Sequence, residues 1–371
     1  MKQRDSVVSA FYALLRAGLW EREVQLALYV PLTWRSLYSF AEKQSVVGLI
    51  AAGLDYVKDV QLVKKDVAPF ISSVYGLEGR NQAMNDFLRA QVERMREAGV
   101  FVLLVKGQGI AQCYERPLWR MCGDVDFLLD HENYLKATAL LSPLASSSKK
   151  EGRYSKHLGL TIDSWSVELH GTLRSGLSSR VDRVIDAVQD SSFRNKEVRV
   201  WKCGPTDVLL PNVDNDIIFV FTHFLKHFYK GGILVRQVCD WCRLLWTYRG
   251  SVRLDLLEKR LRRMGLMQEW KTFAAFAVTY LGMPSDAMPL YDSSPRWAGK
   301  ADRVSAYMLA FGYLEGRALK NGKRRRIKAL LPVFPLNVLR FLPSILFNVN
   351  RVKLQEYLGQ RFLTVVGYSH D

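Results

Sequence analysis

Residues 100–129 read VFVLLVKGQGIAQCYERPLWRMCGDVDFLL, and this stretch decides the fold. VFVLLV (residues 100–105) is a short, β-branched apolar run, the pattern of a buried strand, and it stops at Lys106-Gly107. QGIAQCY predicts a short helix and ERPLWRMCG a loop. A second apolar strand, DVDFLL, begins at Asp124, and Asp130 caps a helix through YLKATALL. Along a strand, alternate side chains share a face, so Asp124 and Asp126 project together while Val125 and Phe127 enter the core. Two carboxylates about 6–7 Å apart on one face suit hard divalent cations. A pair of such ions, roughly 3.5–4 Å apart, holds the attacking and leaving oxygens of an in-line phosphoryl displacement.

Alone, D-x-D is a weak signal, because short solvated acidic turns produce it often. Its neighbours strengthen it. KHLGLTI and WSVELHGTL, separated by Asp163-Ser164, read as a β-hairpin. Glu168 lies there on the same alternating face as Ser166 and His170. Three carboxylates on adjacent strands repel unless cations sit between them. EVRVW and DVLL add a weaker pair of strands near Pro211, and SPLASSSKKEGR reads as a polar linker.

Farther out, the pattern is helical. Residues 1–80 read as short amphipathic helices, with Leu37, Phe40, Ala41 and Val47 near helical spacing. NQAMNDFLRAQVERMREAG places Phe87, Leu88, Val92 and Met95 on one stripe, with Gly99 as its stop. After Asp214 come DNDIIFVFTHFLKHFYKGG, LVRQVCDWCRLLWTYRG and MQEWKTFAAFAVTYLG, three helices punctuated by glycine. These readings give an α+β chain: a helical N-terminal segment (1–80), a core with a small mixed β-sheet (81–212), and a C-terminal helical domain with a basic and apolar tail (213–371).

The residues KGQGIAQCYERPLWRMCGDVDFLL resemble the signature of the uncharacterised nucleotidyltransferase family of bacteria, within the DNA polymerase beta-like superfamily. There, a strand ending in Lys-Gly precedes a helix, a tyrosine, an arginine and Gly-Asp-hydrophobic-Asp. The matching residues here are Lys106-Gly107, Tyr114, Arg120 and Gly123 to Asp126. Glu168 and His170 match the family's later acid and histidine, with Glu where Asp is commoner. The superfamily's usual Gly-Ser turn is replaced by Lys-Gly. WRSLYSFAEKQSVVGLI, HFLKH and VRQVCDWCRLL are similar to its flanking helices, so the resemblance covers most of the chain.

The resemblance implies transfer of a nucleoside monophosphate from an NTP to a hydroxyl acceptor, with release of pyrophosphate. It places Asp124, Asp126 and Glu168 as ligands for two Mg²⁺ or Mn²⁺ ions. Lys106 and Arg120 would neutralise triphosphate charge, and Gly107 and Gly123 would admit phosphate close to the backbone. The acceptor stays open among a protein hydroxyl, a tRNA end, a sugar phosphate and a small antibiotic. Two rival readings are a catalytically idle module that binds nucleotide or nucleic acid, and a membrane-peripheral scaffold in surface-polysaccharide assembly.

Other features carry less. His223 and His227 share a helix face, but no third ligand follows at a telling distance, which favours packing or substrate contact over metal. Arg236 and Asp240 are spaced to pair along a helix. With His170 and His223, the resemblance gives them at most a supporting role behind the site. Cys239 and Cys242 read as buried thiols, and five cysteines in 371 residues fit a reducing cytoplasm better than a disulfide framework.

The chain is 49% hydrophobic and carries a net charge of +17, which points to packed cores and a polyanionic partner. Nucleic acid is one candidate. The run KNGKRRRIK followed by LLPVFPLNVLRFLPSILF (within residues 320–349) adds an anionic membrane surface, at the inner face, as another. The N-terminus lacks a signal-peptide pattern, and Asn337, Arg340 and three prolines argue against a spanning helix at 330–349.

Overall fold

The computed structural model describes residues 2–150, 157–311 and 319–347. It is a mixed α+β fold with a small mixed sheet set among helices. Three helices open it: α1 (Lys2–Trp20), α2 (Trp34–Lys43) and α3 (Val47–Leu54). Helices α1 and α3 cross backbone to backbone. A Cβ on Gly18 would overlap the Leu49 carbonyl, and one on Gly53 the Leu14 carbonyl, so only glycine permits that approach.

Helix α4 (Lys64–Glu97) is a correction to the expected helix, because it begins well before Asn81 and runs unbroken past residue 80. Pro69 sits in its second turn, where it forgoes one backbone hydrogen bond of the helix. Its buried residues Phe70 and Val74 join the core shared with the first and last helices. Farther along, Met84, Leu88, Val92 and Met95 join the core beneath the sheet.

Next come β1 (Leu103–Val105), the short α5 (Gly107–Ala111), β2 (Asp124–Leu128) and α6 (His131–Leu141). Asp130 caps α6 as expected, its side chain accepting from the Asn133 N–H at 2.9 Å. The supposed polar linker contains an edge strand, β3 (Ser147–Lys150). The end of that stretch, 151–153, lies outside the described residues. Strands β4 (His157–Ile162) and β5 (Trp165–His170) form the hairpin anticipated at Asp163-Ser164. The sheet order is β1-β2-β5-β4-β3, with β2 and β5 parallel at its centre and the other neighbours antiparallel.

Alternation divides the sheet into two faces. Val125, Phe127, Val167, Leu169, Leu158 and Leu160 pack beneath it with α4 and α6. The opposite face carries Asp124, Asp126, Glu168 and His170 and looks toward the helices that follow. Those helices are α7 (Ser179–Asn195) and, after a separate ribbon of β6 (Val198–Cys203) and β7 (Thr206–Pro211), α8 (Val213–Lys230) and α9 (Val235–Thr247). Helices α10 (Leu254–Met264), α11 (Met267–Leu281) and α12 (Pro295–Phe311) continue the helical assembly. Phe221, Phe224, Phe228, Trp241, Trp270 and Phe273 are all fully buried at its centre.

The basic run falls on α13 (Leu319–Leu330) and the apolar segment on α14 (Pro335–Phe347), and residues 348–349 lie outside the described residues. Arg324, Arg325 and Lys328 are exposed, as a solvated face requires, whereas Arg326 donates to the Lys230 carbonyl. Val338, Phe341 and Ile345 of α14 are buried in the helical core. No helix among the described residues is long and apolar enough to cross a membrane.

Candidate functional site

The parallel register of β2 and β5 sets Asp124 beside Ser166, Asp126 beside Glu168 and Leu128 beside His170. Pairing of β4 with β5 then sets His157 beside His170 and Gly159 beside Glu168. Asp124, Asp126 and Glu168 therefore converge, each offering an oxygen within 4.8 Å of the others. The β4 residue directly opposite Glu168 is glycine, so no side chain stands on that pairing position. A Cβ on Gly123 would meet nothing within 4 Å, so the approach to Asp124 is open as well.

The turn after β1 brings a cation to these acids. Lys106 has φ +59° and ψ −144°, a backbone conformation close to one that glycine alone adopts readily, and Gly107 follows at φ +36°. Such a residue costs about 1–3 kcal/mol and persists where its surroundings impose it. Here the gain is an ion pair: Lys106 Nζ lies 2.8 Å from Asp126 Oδ1. His170 Nε2 is 2.7 Å from that same oxygen and 3.3 Å from Glu168 Oε2. His157 Nε2 approaches Glu168 Oε2 at 3.1 Å, and its ring stacks on His170 with centroids 4.8 Å apart.

These contacts separate the acids electrostatically. Burial raises the Asp124 carboxyl above the usual range, and the charge on Asp126 adds to it. Burial works the same way on Asp126, but Lys106 and His170 outweigh it and hold that carboxyl low. Hydrogen bonds from His157 and His170 hold Glu168 far below the usual range. Burial alone would lower the Lys106 ammonium, yet its carboxylate partners keep it raised. With one lysine among three acids, the cluster carries excess negative charge. The donors are hard oxygens on a partly open face, a set that fits Mg²⁺ or Mn²⁺.

Helix α8 supplies the opposite wall. His223 is pushed well below its ordinary value by burial and then by Lys106, His227 and Lys226. His227 falls to about 4 through burial, Lys226, Lys106 and Arg236. Both imidazoles stand neutral beside a cationic rim, their centroids 4.7 Å apart. Among the described residues they join no group of three metal ligands.

Arg120 is placed elsewhere than expected. Its fork grips Asp240, Nε to Oδ1 at 2.8 Å and Nη2 to Oδ2 at 2.7 Å, while Nη1 points to Cys122 Sγ at 2.8 Å. Tyr114 donates to the same Asp240 at 2.8 Å. The guanidinium is buried and held in this ion pair, and Nη1 also donates to the Met121 carbonyl at 3.4 Å. Asp240 consequently does not pair with Arg236, which instead donates to the Met121 carbonyl. Arg236 is nonetheless near enough to Asp124 for its charge to pull that carboxyl down.

Helix α9 thus clamps the 113–122 loop with a stripe of side chains: Arg236, Asp240, Arg243, which donates to Cys113 O at 2.7 Å, and Thr247 at 3.3 Å from the same atom. Asn81 of α4 holds the loop from the far side through the Leu118 and Arg120 carbonyls at 2.7 and 2.8 Å. Asp124 follows directly from a loop fixed on both flanks.

Sequence reasoning missed His157. The signal was present: a two-residue turn at Asp163-Ser164 pairs Ile162 with Trp165, and counting back along the hairpin pairs His157 with His170.

No curated protein and no solved structure matches the chain. A family model described as uncharacterised nucleotidyltransferase matches residues 31–282, a span that holds the sheet, the three acids, the clamped loop and helices α2 through α11. The chain belongs to the uncharacterised nucleotidyltransferase family.

Proposed function

We propose that the protein is a metal-dependent nucleotidyltransferase that moves a nucleoside monophosphate from an NTP to a hydroxyl acceptor, releasing pyrophosphate. The observation that carries the reading is the convergence of Asp124, Asp126 and Glu168 on one sheet face, with ligand oxygens within 4.8 Å of one another. Carboxylates at such spacing, with one lysine to offset them, favour added cation charge. Divalent ions held there would stabilise the pentacoordinate phosphorus and acidify the attacking hydroxyl.

The chain's own groups have distinct tasks. Asp124 and Asp126 hold the ions. Glu168 completes the oxygen set, and its strongly lowered carboxyl makes it a ligand rather than a proton acceptor. Lys106 is assigned to triphosphate charge, the role its ion pair with Asp126 prefigures. Gly107 and Gly123 allow phosphate to approach the backbone. Arg236 and the neutral His223 form the wall opposite, within reach of nucleotide or acceptor. Arg120, Asp240 and Tyr114 position the loop that presents Asp124.

The test is a calorimetric titration of the full chain with non-hydrolysable analogues of the four NTPs, with Mg²⁺ and again with chelator. Metal-dependent binding that disappears in Asp124→Asn/Asp126→Asn supports the reading. A well-folded protein that binds none of them refutes it.

A further inference from the structure

We propose that His157, Glu168 and His170 form a second metal site, selective for a nitrogen-seeking divalent ion of the zinc class and joined to the acid cluster through Glu168. The inference does not depend on nucleotidyl transfer. It rests on a donor set chemically unlike the oxygen cluster beside it.

The three ligand atoms lie within 4.8 Å of one another. From the shared Glu168 Oε2, His157 Nε2 is 3.1 Å away and His170 Nε2 is 3.3 Å away. An ion bound tetrahedrally at about 2.0–2.2 Å from nitrogen and oxygen has its donors roughly 3.3–3.4 Å apart. The two measured edges are within a few tenths of an ångström of that figure. Both imidazoles present the same nitrogen, and their rings stack within 26° of parallel, so the donors are already aimed together. Backbone pairing enforces this, since His157 and His170 are directly opposed on β4 and β5. The glycine opposite Glu168 leaves a path for the ion.

A plain hydrogen-bonded set is the competing account: His170 Nε2–H serves Asp126 Oδ1 at 2.7 Å, and His157 Nε2–H serves Glu168 Oε2 at 3.1 Å. An ion must displace both protons to bind there, so metal uptake itself tells the two accounts apart. Two imidazoles and one carboxylate favour Zn²⁺, Co²⁺ or Ni²⁺ over Mg²⁺ or Ca²⁺, whereas the all-oxygen cluster favours the reverse. Because Glu168 belongs to both sets, an ion at the histidines also alters the charge offered to the acid pair.

Cobalt(II) is the probe, since its visible d–d absorption reports nitrogen ligation and coordination number directly. The full chain, stripped with chelator, is titrated with Co²⁺ and then with Zn²⁺. The expected result is one Co²⁺ per chain at the histidines, displaced by Zn²⁺ in equal amount. Affinity should fall at least about tenfold in His157→Ala. His157→Asn retains a hydrogen-bond donor but no imidazole, and should lose the ion equally. Circular dichroism establishes that each variant is folded. The proposal is overturned if Co²⁺ fails to bind the wild-type chain, or binds both variants with unchanged affinity and spectrum. Mn²⁺-dependent binding of NTP analogue, measured in parallel, should survive His157→Asn and fail in Asp124→Asn, so the two readings stand or fall separately.

Discussion

Two charge clusters flank the loop that runs from Cys113 to Gly123, and they are built on opposite principles. In the Arg120–Asp240 cluster charges match one to one: the guanidinium takes both carboxylate oxygens, Tyr114 adds a third hydrogen bond, and both charged side chains are at least nine-tenths buried. In the Asp124–Asp126–Glu168 cluster acids outnumber the lysine three to one, and the Glu168 side chain is 31% exposed. A closed, neutral cluster sets geometry. An open one with surplus charge of one sign is prepared for something that is not part of the chain. The difference explains why Arg120 belongs to the scaffold although its motif position places it beside the acids.

That contrast can be broken most forcefully at Arg120. Arg120→Ala leaves Asp240 buried and uncompensated, so unfolding free energy should drop by about 3–5 kcal/mol in denaturant titration. The double variant Arg120→Met/Asp240→Leu should recover most of the loss. A mild effect of the single change would mean that the pair is not the closed element described. At the open cluster the loss should be functional. Asp126→Asn should lower Mg²⁺-dependent affinity for an NTP analogue by about a hundredfold or more, read by calorimetry.

The third prediction concerns sign. Burial and the Asp126 charge disfavour an ionised Asp124, so Asp124→Asn should raise the melting temperature of the metal-free protein. A lower melting temperature in chelator would contradict the surplus-charge description. The remaining effect is at His227. Its folded value of about 4 lies below the ordinary 6.5, so the unfolded chain binds the proton first as pH falls. Stability should decline from pH 6.5 toward pH 4 and level off below that, and His227→Gln should flatten this part of the profile.

The sequence disclosed what alternation encodes. DVDFLL and WSVELH each send acids to one face and apolar residues to the other, and both the sheet and its acidic face follow from that. Partners distant along the chain were not legible. Arg120 reads as a phosphate ligand until Asp240, brought close only by the packing of α9, claims it. Strand β3 has no apolar residue to announce it, since SSKK becomes a strand only by pairing with β4. Helix α4 runs through Pro69, Gly76 and Gly79, whose low helix propensity is outweighed by the burial of Phe70, Val74 and Leu77.

The parallel register of β2 and β5 has a consequence for how the sheet is kept correct. Because side chains alternate with period two, sliding β5 by one residue would turn Glu168 and His170 to the apolar side. A slipped sheet would therefore lose its hydrophobic match and its affinity for cations together. An ion present at a hundred times its dissociation constant adds about 2.7 kcal/mol to the state that binds it. The divalent pool around a newly made chain would then act as a proofreader of strand alignment, rewarding the one arrangement in which the acids meet.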